Sequence, residues 1–231
     1  MSETDSFIDE VTEEVRRDRL FALMKRYGWI AVLLVLLLVG GAAFNEWRKA
    51  QAKAAAEATG DAMIAALSDD DPLARAKALS ALDPESAGAQ ALVRMLAASE
   101  DVEAGDYDTA AALLRDVADN PDLPLIYRQV AAYKRLSVLG DTLSVDERRQ
   151  GYEALVGPGS QLRLMAQEQL ALIDISMGDI DAATGRLREI AADAGATAGL
   201  RQRATQLMVA VGATPGADGS AGDAGAAPAG E

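Results

Sequence analysis

The sequence contains no cysteine and no histidine. The first absence excludes disulfides and thiolate chemistry. The second removes the commonest general base, the commonest metal ligand and every Ser-His-Asp arrangement. Basic residues are outnumbered, 22 against 36 acidic, for a net charge of −14. Seven acids and five bases fall within residues 1–27, so −12 of that charge lies beyond them. Such a balance opposes nucleic acid, whose recognition needs a basic face, and opposes lying flat on an anionic bilayer. Solubility is its plain reading. Alternating β-branched runs are missing too, so strands are not expected. Asp69-Asp70-Asp71 reads as an interhelical loop with an N-cap, because no further ligands stand nearby for a metal. Gly157-Pro158-Gly159 lacks the Lys and Ser/Thr that follow in a phosphate loop. No catalytic, cofactor-binding or metal-ligating residue is therefore expected, and no cofactor.

What is present begins with one apolar stretch. Between Arg26 and Glu46 there is no charged residue, and Ile30 to Val39 is almost all large aliphatic. Residues 27–45, at about 1.5 Å per residue, reach about 28 Å, close to the hydrocarbon thickness of a bilayer. The nine Leu, Ile and Val of the central run are together worth roughly −3 to −5 kcal/mol on an insertion scale. Tyr27, Trp29, Phe44 and Trp47 flank it, where amphipathic rings favour the membrane interface. A buried core helix is the alternative, but this run has no polar face to show water. A cleaved signal peptide is another, with Gly41-Ala42-Ala43 as the cut site. Some 26 residues, many acidic, precede the run, so an uncleaved anchor is expected.

Arg16, Arg17, Arg19, Lys25 and Arg26 precede the span; Arg48, Lys49 and Lys53 follow it. That excess puts the N-terminal segment, residues 1–26, in the cytoplasm, and everything after Asn45 on the far side, which is the periplasm if the host is a Gram-negative bacterium. The segment itself reads as helical from about Ser6, an N-cap with Asp9 and Glu10 in the first turns. Leu20, Phe21, Met24 and Tyr27 gather on one side of it, as in an interfacial helix or a partner-binding tag.

Residues 46–212 read as helices only, so the fold class is all-α. Ala, Leu, Glu, Arg, Gln and Met dominate. Asp71-Pro72 marks a helix start, and Asp83-Pro84, Asn120-Pro121 and Gly157-Pro158-Gly159 mark boundaries. Gly105, Gly140 and Gly178 sit where helices should end. Ser144 and Glu147 have capping-box spacing. The helices come in repeating pairs. Gly105 is followed by Tyr107, Ala110, Leu114 and Val117; Gly178 by Ile180, Ala183, Leu187 and Ile190. The offsets are identical and place these side chains on one helix face. A looser copy follows Gly140 (Val145, Tyr152, Leu155), and a weaker one begins near Leu73 and Ala76. The starts Leu73, Tyr107, Val145 and Ile180 lie 34, 38 and 35 residues apart. The preceding helix of the last pair carries the stripe Leu162, Met165, Ala166, Leu170, Ile173 and Met177, read as core. A final helix, about Ala198 to Val211, reads as a cap with Arg201, Gln202, Arg203 and Gln206 facing out. Residues 213–231 are Gly, Ala, Pro, Asp and Ser, and read as a disordered tail.

The period, and a glycine followed by Tyr107 or Ile180 and then by Ala and Leu, are similar to the tetratricopeptide repeat. Gly105, Tyr107, Ala110, Leu114, Gly178, Ile180, Ala183 and Leu187 match that pattern, while its first-helix Trp and Gly-Tyr signature is missing. The N-terminal half adds Phe7-Ile8-Asp9-Glu10-Val11 through Asp18, and Lys25-Arg26-Tyr27-Gly28-Trp29 entering one span. With Phe44 and Trp47 leading to an Ala-rich helix, this resembles the YfgM-type family, ancillary subunits of the SecYEG translocon. The resemblance covers residues 6 to about 212. It implies a single-pass inner-membrane protein with a periplasmic tetratricopeptide-like α-solenoid. Its partners would be the SecYEG translocon, periplasmic chaperones and exported polypeptides. A scaffold for another envelope assembly complex has the same architecture, and fold alone does not separate the two. No sequence motif supports an enzyme.

Overall fold

The computed structural model describes residues 3–214 of the chain. The expected tail lies, from residue 215 on, outside the described residues. The chain divides into two compact units, Met1–Ala58 and Thr59–Glu231.

The first unit is carried by one helix, α1 (Glu3–Ala66), which ends inside the second. It starts ahead of Ser6, which therefore lies within the helix rather than capping it. No proline interrupts the segment, and neither Gly28 nor the Gly40-Gly41 pair breaks it. Val32 to Val39 are all exposed, as are Trp29, Phe44 and Trp47. Among the described residues this is the one helix long and apolar enough to cross a membrane. At its ends the guanidinium of Arg26 lies 5.8 Å from the Tyr27 ring centroid, and the Phe44 and Trp47 rings stand 6.0 Å apart.

The second unit is all helical among the described residues. After the end of α1 come α2 (Pro72–Ser80), α3 (Ala87–Glu103), α4 (Tyr107–Ala118) and α5 (Leu125–Leu139). A 3₁₀ turn (Gly140–Thr142) leads to α6 (Val145–Glu153), α7 (Arg163–Ser176), α8 (Ile180–Ala192) and α9 (Ala198–Ala210). Local chemistry sets most of the starts. The Asp71 carboxylate accepts from the Leu73 N–H, with Pro72 in the first turn. Ser86, Asp106, Asp179 and Thr197 accept in the same way from Ala89, Thr109, Ala182 and Leu200. Ser144 and Glu147 close a full capping box at α6. The extra residues after Gly140 are absorbed by the 3₁₀ turn, which explains the stretched spacing of that copy.

From α2 on, each helix packs on its neighbours in the chain, α2 on α3, α3 on α4, α4 on α5, α5 on α6, α6 on α7, α7 on α8 and α8 on α9. Steps to the next helix but one also occur, from α3 to α5 and, through Glu168 and Arg203, from α7 to α9. The apolar interior follows the same order. Ala91, Met95, Ala98, Ala110, Leu114, Val117 and Ala131 join α3, α4 and α5. Leu136, Tyr152, Leu155, Ala166, Leu170 and Ile173 join α5, α6 and α7. Ala171, Leu187, Ile190, Leu200, Ala204 and Met208 close the C-terminal end. The stripe read on α7 is core only in part. Ala166, Leu170 and Ile173 are buried, but Met165 is exposed and Met177, past the helix end, is 60% exposed. Gln167, Glu168 and Asp174 are buried beside them, so the covered face of α7 is more polar than its apolar spacing implies.

Candidate protein-interaction surface

Two hairpins repeat one geometry. In α3–α4 the turn glycine is Gly105, at φ +82°; in α7–α8 it is Gly178, at φ +79°. The Gly105 N–H donates to Val102 O and the Asp106 N–H to Asp101 O, at 3.1 and 2.8 Å. The Gly178 N–H donates to Ile175 O and the Asp179 N–H to Asp174 O, at 3.0 and 2.9 Å. A left-handed residue is needed at this corner, and only glycine adopts it without Cβ strain. Just beyond the turn, Ala110, Leu114, Ala183 and Leu187 are wholly buried, as are Val117 and Ile190. The small alanine lets the paired helix approach. Tyr107, by contrast, is 53% exposed, and Ile180 is half-buried. The signature residues thus form hairpin corners and core, and they do not meet in one site.

Buried charges brace the stack. Asp174, 1% exposed, accepts from Arg149 of α6 and Arg186 of α8, each at 2.8 Å. One carboxylate thereby ties three successive helices. Glu168 of α7 receives both arms of Arg203 of α9, at 2.7 and 2.8 Å. Arg203, read as part of an outward polar face, is a clamp on the preceding hairpin. Arg163 pairs with Asp193 at 2.6 Å, which holds that carboxyl below the usual carboxylate range. Arg75 of α2 pairs with Glu100 and Glu103 of α3 at 2.6 and 2.9 Å. These pairings escaped the sequence reading, because apolar periodicity carries no information on buried charge. One signal was present: an aspartate stands four residues before the turn glycine in both copies, Asp101 and Asp174.

The family of the chain follows from these hairpins and from one comparison. A profile of the tetratricopeptide repeat-like domain matches residues 23–148. The chain belongs to the tetratricopeptide repeat-like domain family. No curated protein and no solved structure matches it. The matched segment takes in the apolar part of α1 and the hairpin of Gly105. The hairpin of Gly178 lies beyond it, yet repeats the same corner and the same buried Ala and Leu. Domains of this family are protein-interaction modules, and helix pairs stacked in this way present extended surfaces between successive repeats.

Among the described residues, several recesses open on this tetratricopeptide repeat-like domain. One of about 210 Å³ lies between α3 and α5, walled by Ala98, Val102, Tyr133 and Val138, with Leu114 of α4 behind them. The second, about 400 Å³, lies between α5, α6 and α7 and is more polar, with Arg148, Gln169, Ser137 and Ser176 among its lining residues. The third, about 230 Å³, is lined by residues from Ser80 to Asp83, by α3 and by Leu113 of α4. Tyr133 and Tyr152 meet edge to face at 5.6 Å between α5 and α6. Burial pushes the Tyr133 hydroxyl above its ordinary range, against a hydrogen bond with Gln169 that lowers it. Exposed Leu92, Leu125, Met165 and Leu172 dot the same helices, and Met177 stands just past the end of α7. Among the described residues, no group of three or more acidic, His or Cys side chains is placed to hold a metal.

Proposed function

We propose that this chain is a single-pass protein of the bacterial inner membrane, ancillary to the Sec translocon. Residues 27–45 span the bilayer, residues 1–26 face the cytoplasm, and the repeat domain works in the periplasm. There it assists the passage or early folding of exported proteins by holding them or their chaperones. One observation carries the reading: a tetratricopeptide repeat-like domain is joined in one chain to a helix whose aliphatic run from Val32 to Val39 is exposed. Tethering raises the effective concentration of such a domain on chains emerging nearby. The cation excess before the span supports the orientation. The resemblance to YfgM-type subunits supports the translocon as neighbour.

A photo-crosslinking residue at Leu36, and separately at the exposed Leu172, tests this in the living host. Translocon subunits captured at Leu36, and exported chains or chaperones at Leu172, are the expected adducts. One fixed envelope complex at both positions, with no translocon, would replace this reading by that of an assembly scaffold.

A further inference from the structure

The recess between α3 and α5 holds a cation that has no acid. The Lys134 ammonium donates to the Ser99 hydroxyl at 2.9 Å in a half-buried setting. Among the described residues no carboxylate stands within ion-pair distance of it, although acids outnumber bases 36 to 22. Elsewhere Arg75, Arg149 and Arg186, which are also partly enclosed, pair with carboxylates. A half-buried ammonium facing apolar walls gains most from a charged partner, because little water competes. The walls, Ala98, Val102, Tyr133 and Val138, offer apolar surface over about 210 Å³. An apolar cavity of about 150 Å³ already accepts benzene. There is room for a side chain the size of leucine or phenylalanine, within reach of one positive charge.

We propose that this recess takes a segment of a partner polypeptide in which a large apolar side chain stands next to an Asp or Glu. The apolar group fills the cavity and the side-chain carboxylate pairs with Lys134. This rests on the reading of the domain as a protein-binding module and assigns the kind of sequence it selects. The chain's own residues 215–231 carry acids, but their apolar groups are only Ala and Pro, too small for the cavity. That tail is therefore not the proposed occupant.

The full-length protein in lipid nanodiscs would be titrated into fluorescein-labelled peptides, capped at both ends, and followed by anisotropy. Three Gly/Ser-flanked peptides differ only at the centre: Phe-Glu, Phe-Gln and Ala-Glu. The Phe-Glu peptide should bind roughly five-fold or more tighter than either of the others. In Lys134→Glu the preference should pass to a Phe-Lys peptide. Val138→Trp, which fills the cavity from its edge, should abolish binding with the helical circular dichroism unchanged. Removing residues 215–231 should leave every affinity as it was. Equal binding of Phe-Glu and Phe-Gln, absence of binding, or tighter binding after tail removal would each overturn the proposal. Adducts retained at Leu172 in the cell would then leave the protein-binding reading standing; their loss as well would end both.

Discussion

Asp101 and Asp174 occupy the same place in two copies of one hairpin, four residues before the turn glycine, and only Asp174 has cations to meet it. Arg149 and Arg186 clamp Asp174. At the positions equivalent to those arginines the first copy has Ala76 and Leu113. Asp101, 4% exposed, keeps a carboxylate oxygen with no hydrogen-bond donor among the described residues. Arg75 is nearby in the packing of α2 on α3, but its arms are taken by Glu100 and Glu103.

Burial, and then the charge of Asp106, push the Asp101 carboxyl above the usual carboxylate range. A folded value above the unfolded one means that ionisation opposes folding. The penalty is complete at neutral pH and fades as pH falls through the raised value toward the unfolded one. Asp101→Asn should therefore stabilise the domain by about 1 kcal/mol near neutrality. Urea unfolding at neutral and at acid pH should show that gain shrinking as the wild-type carboxyl takes up its proton. A gain of equal size at both pH values would contradict the account.

Arg186→Leu installs in the second hairpin what the first has at Leu113. It leaves the Asp174 carboxylate with Arg149 alone, and should cost about 1–3 kcal/mol. Replacing Arg149 as well should not simply double the loss, because the two cations share one carboxylate. A double-mutant cycle on thermal unfolding measures the coupling.

Gly105→Ala and Gly178→Ala should each destabilise by about 1 kcal/mol, and by nearly the same amount, because their backbone angles agree within a few degrees. No neighbour would meet the added methyl at either site, so the cost is conformational alone. Gly185→Ala is the control. It lies inside α8 with open space around it, and the same change there should stabilise by about 0.5–1 kcal/mol. Chemical denaturation of the three variants decides the matter by sign.

Ser144→Ala removes one half of the α6 capping box and should cost about 1 kcal/mol. Hydrogen bonds from the Ser144 hydroxyl and N–H hold the Glu147 carboxyl below its usual range. With the folded value depressed, this contribution is present above the unfolded value and is lost as pH falls through the folded one. The deficit of the variant should narrow in acid, the opposite trend to that of Asp101→Asn. Unfolding midpoints across the acid range would show it.

Leu34→Arg combined with Leu36→Arg should release the chain from membranes. Two central arginines cost about 5–7 kcal/mol on an insertion scale, against roughly −3 to −5 kcal/mol for the whole aliphatic run. Carbonate extraction of host membranes gives the readout; retention in the pellet would count against residues 27–45 as the span.

The helical architecture was legible because punctuation and periodicity agree. Asp71-Pro72, Ser144 with Glu147, and Gly105 and Gly178 do in the structure what their chemistry dictates, and the stretched middle copy resolves into a 3₁₀ turn. Burial was legible where side chains are small or aliphatic on a helix face, as at Ala110, Leu114, Ala183 and Leu187. It failed at Met165 and Met177, because the covered stripe of α7 is completed by Gln167, Glu168 and Asp174 instead. Ion pairing across 35 residues, as between Glu168 and Arg203, leaves no local trace in a sequence. The vacant partnership of Lys134 is likewise visible only once α3 and α5 are side by side.

Because almost every helix of the second unit packs on its immediate predecessor, closing a hairpin never waits for a distant strand or a remote terminus. Folding of this kind has low contact order and can advance step by step as the polypeptide is delivered end first. The α3–α4 corner can lock at Gly105 while the residues of α7 are still being synthesised. Assembly would then stall, if at all, where a carboxylate waits for a later cation, as Asp174 does for Arg186 and Glu168 for Arg203, 35 residues further on.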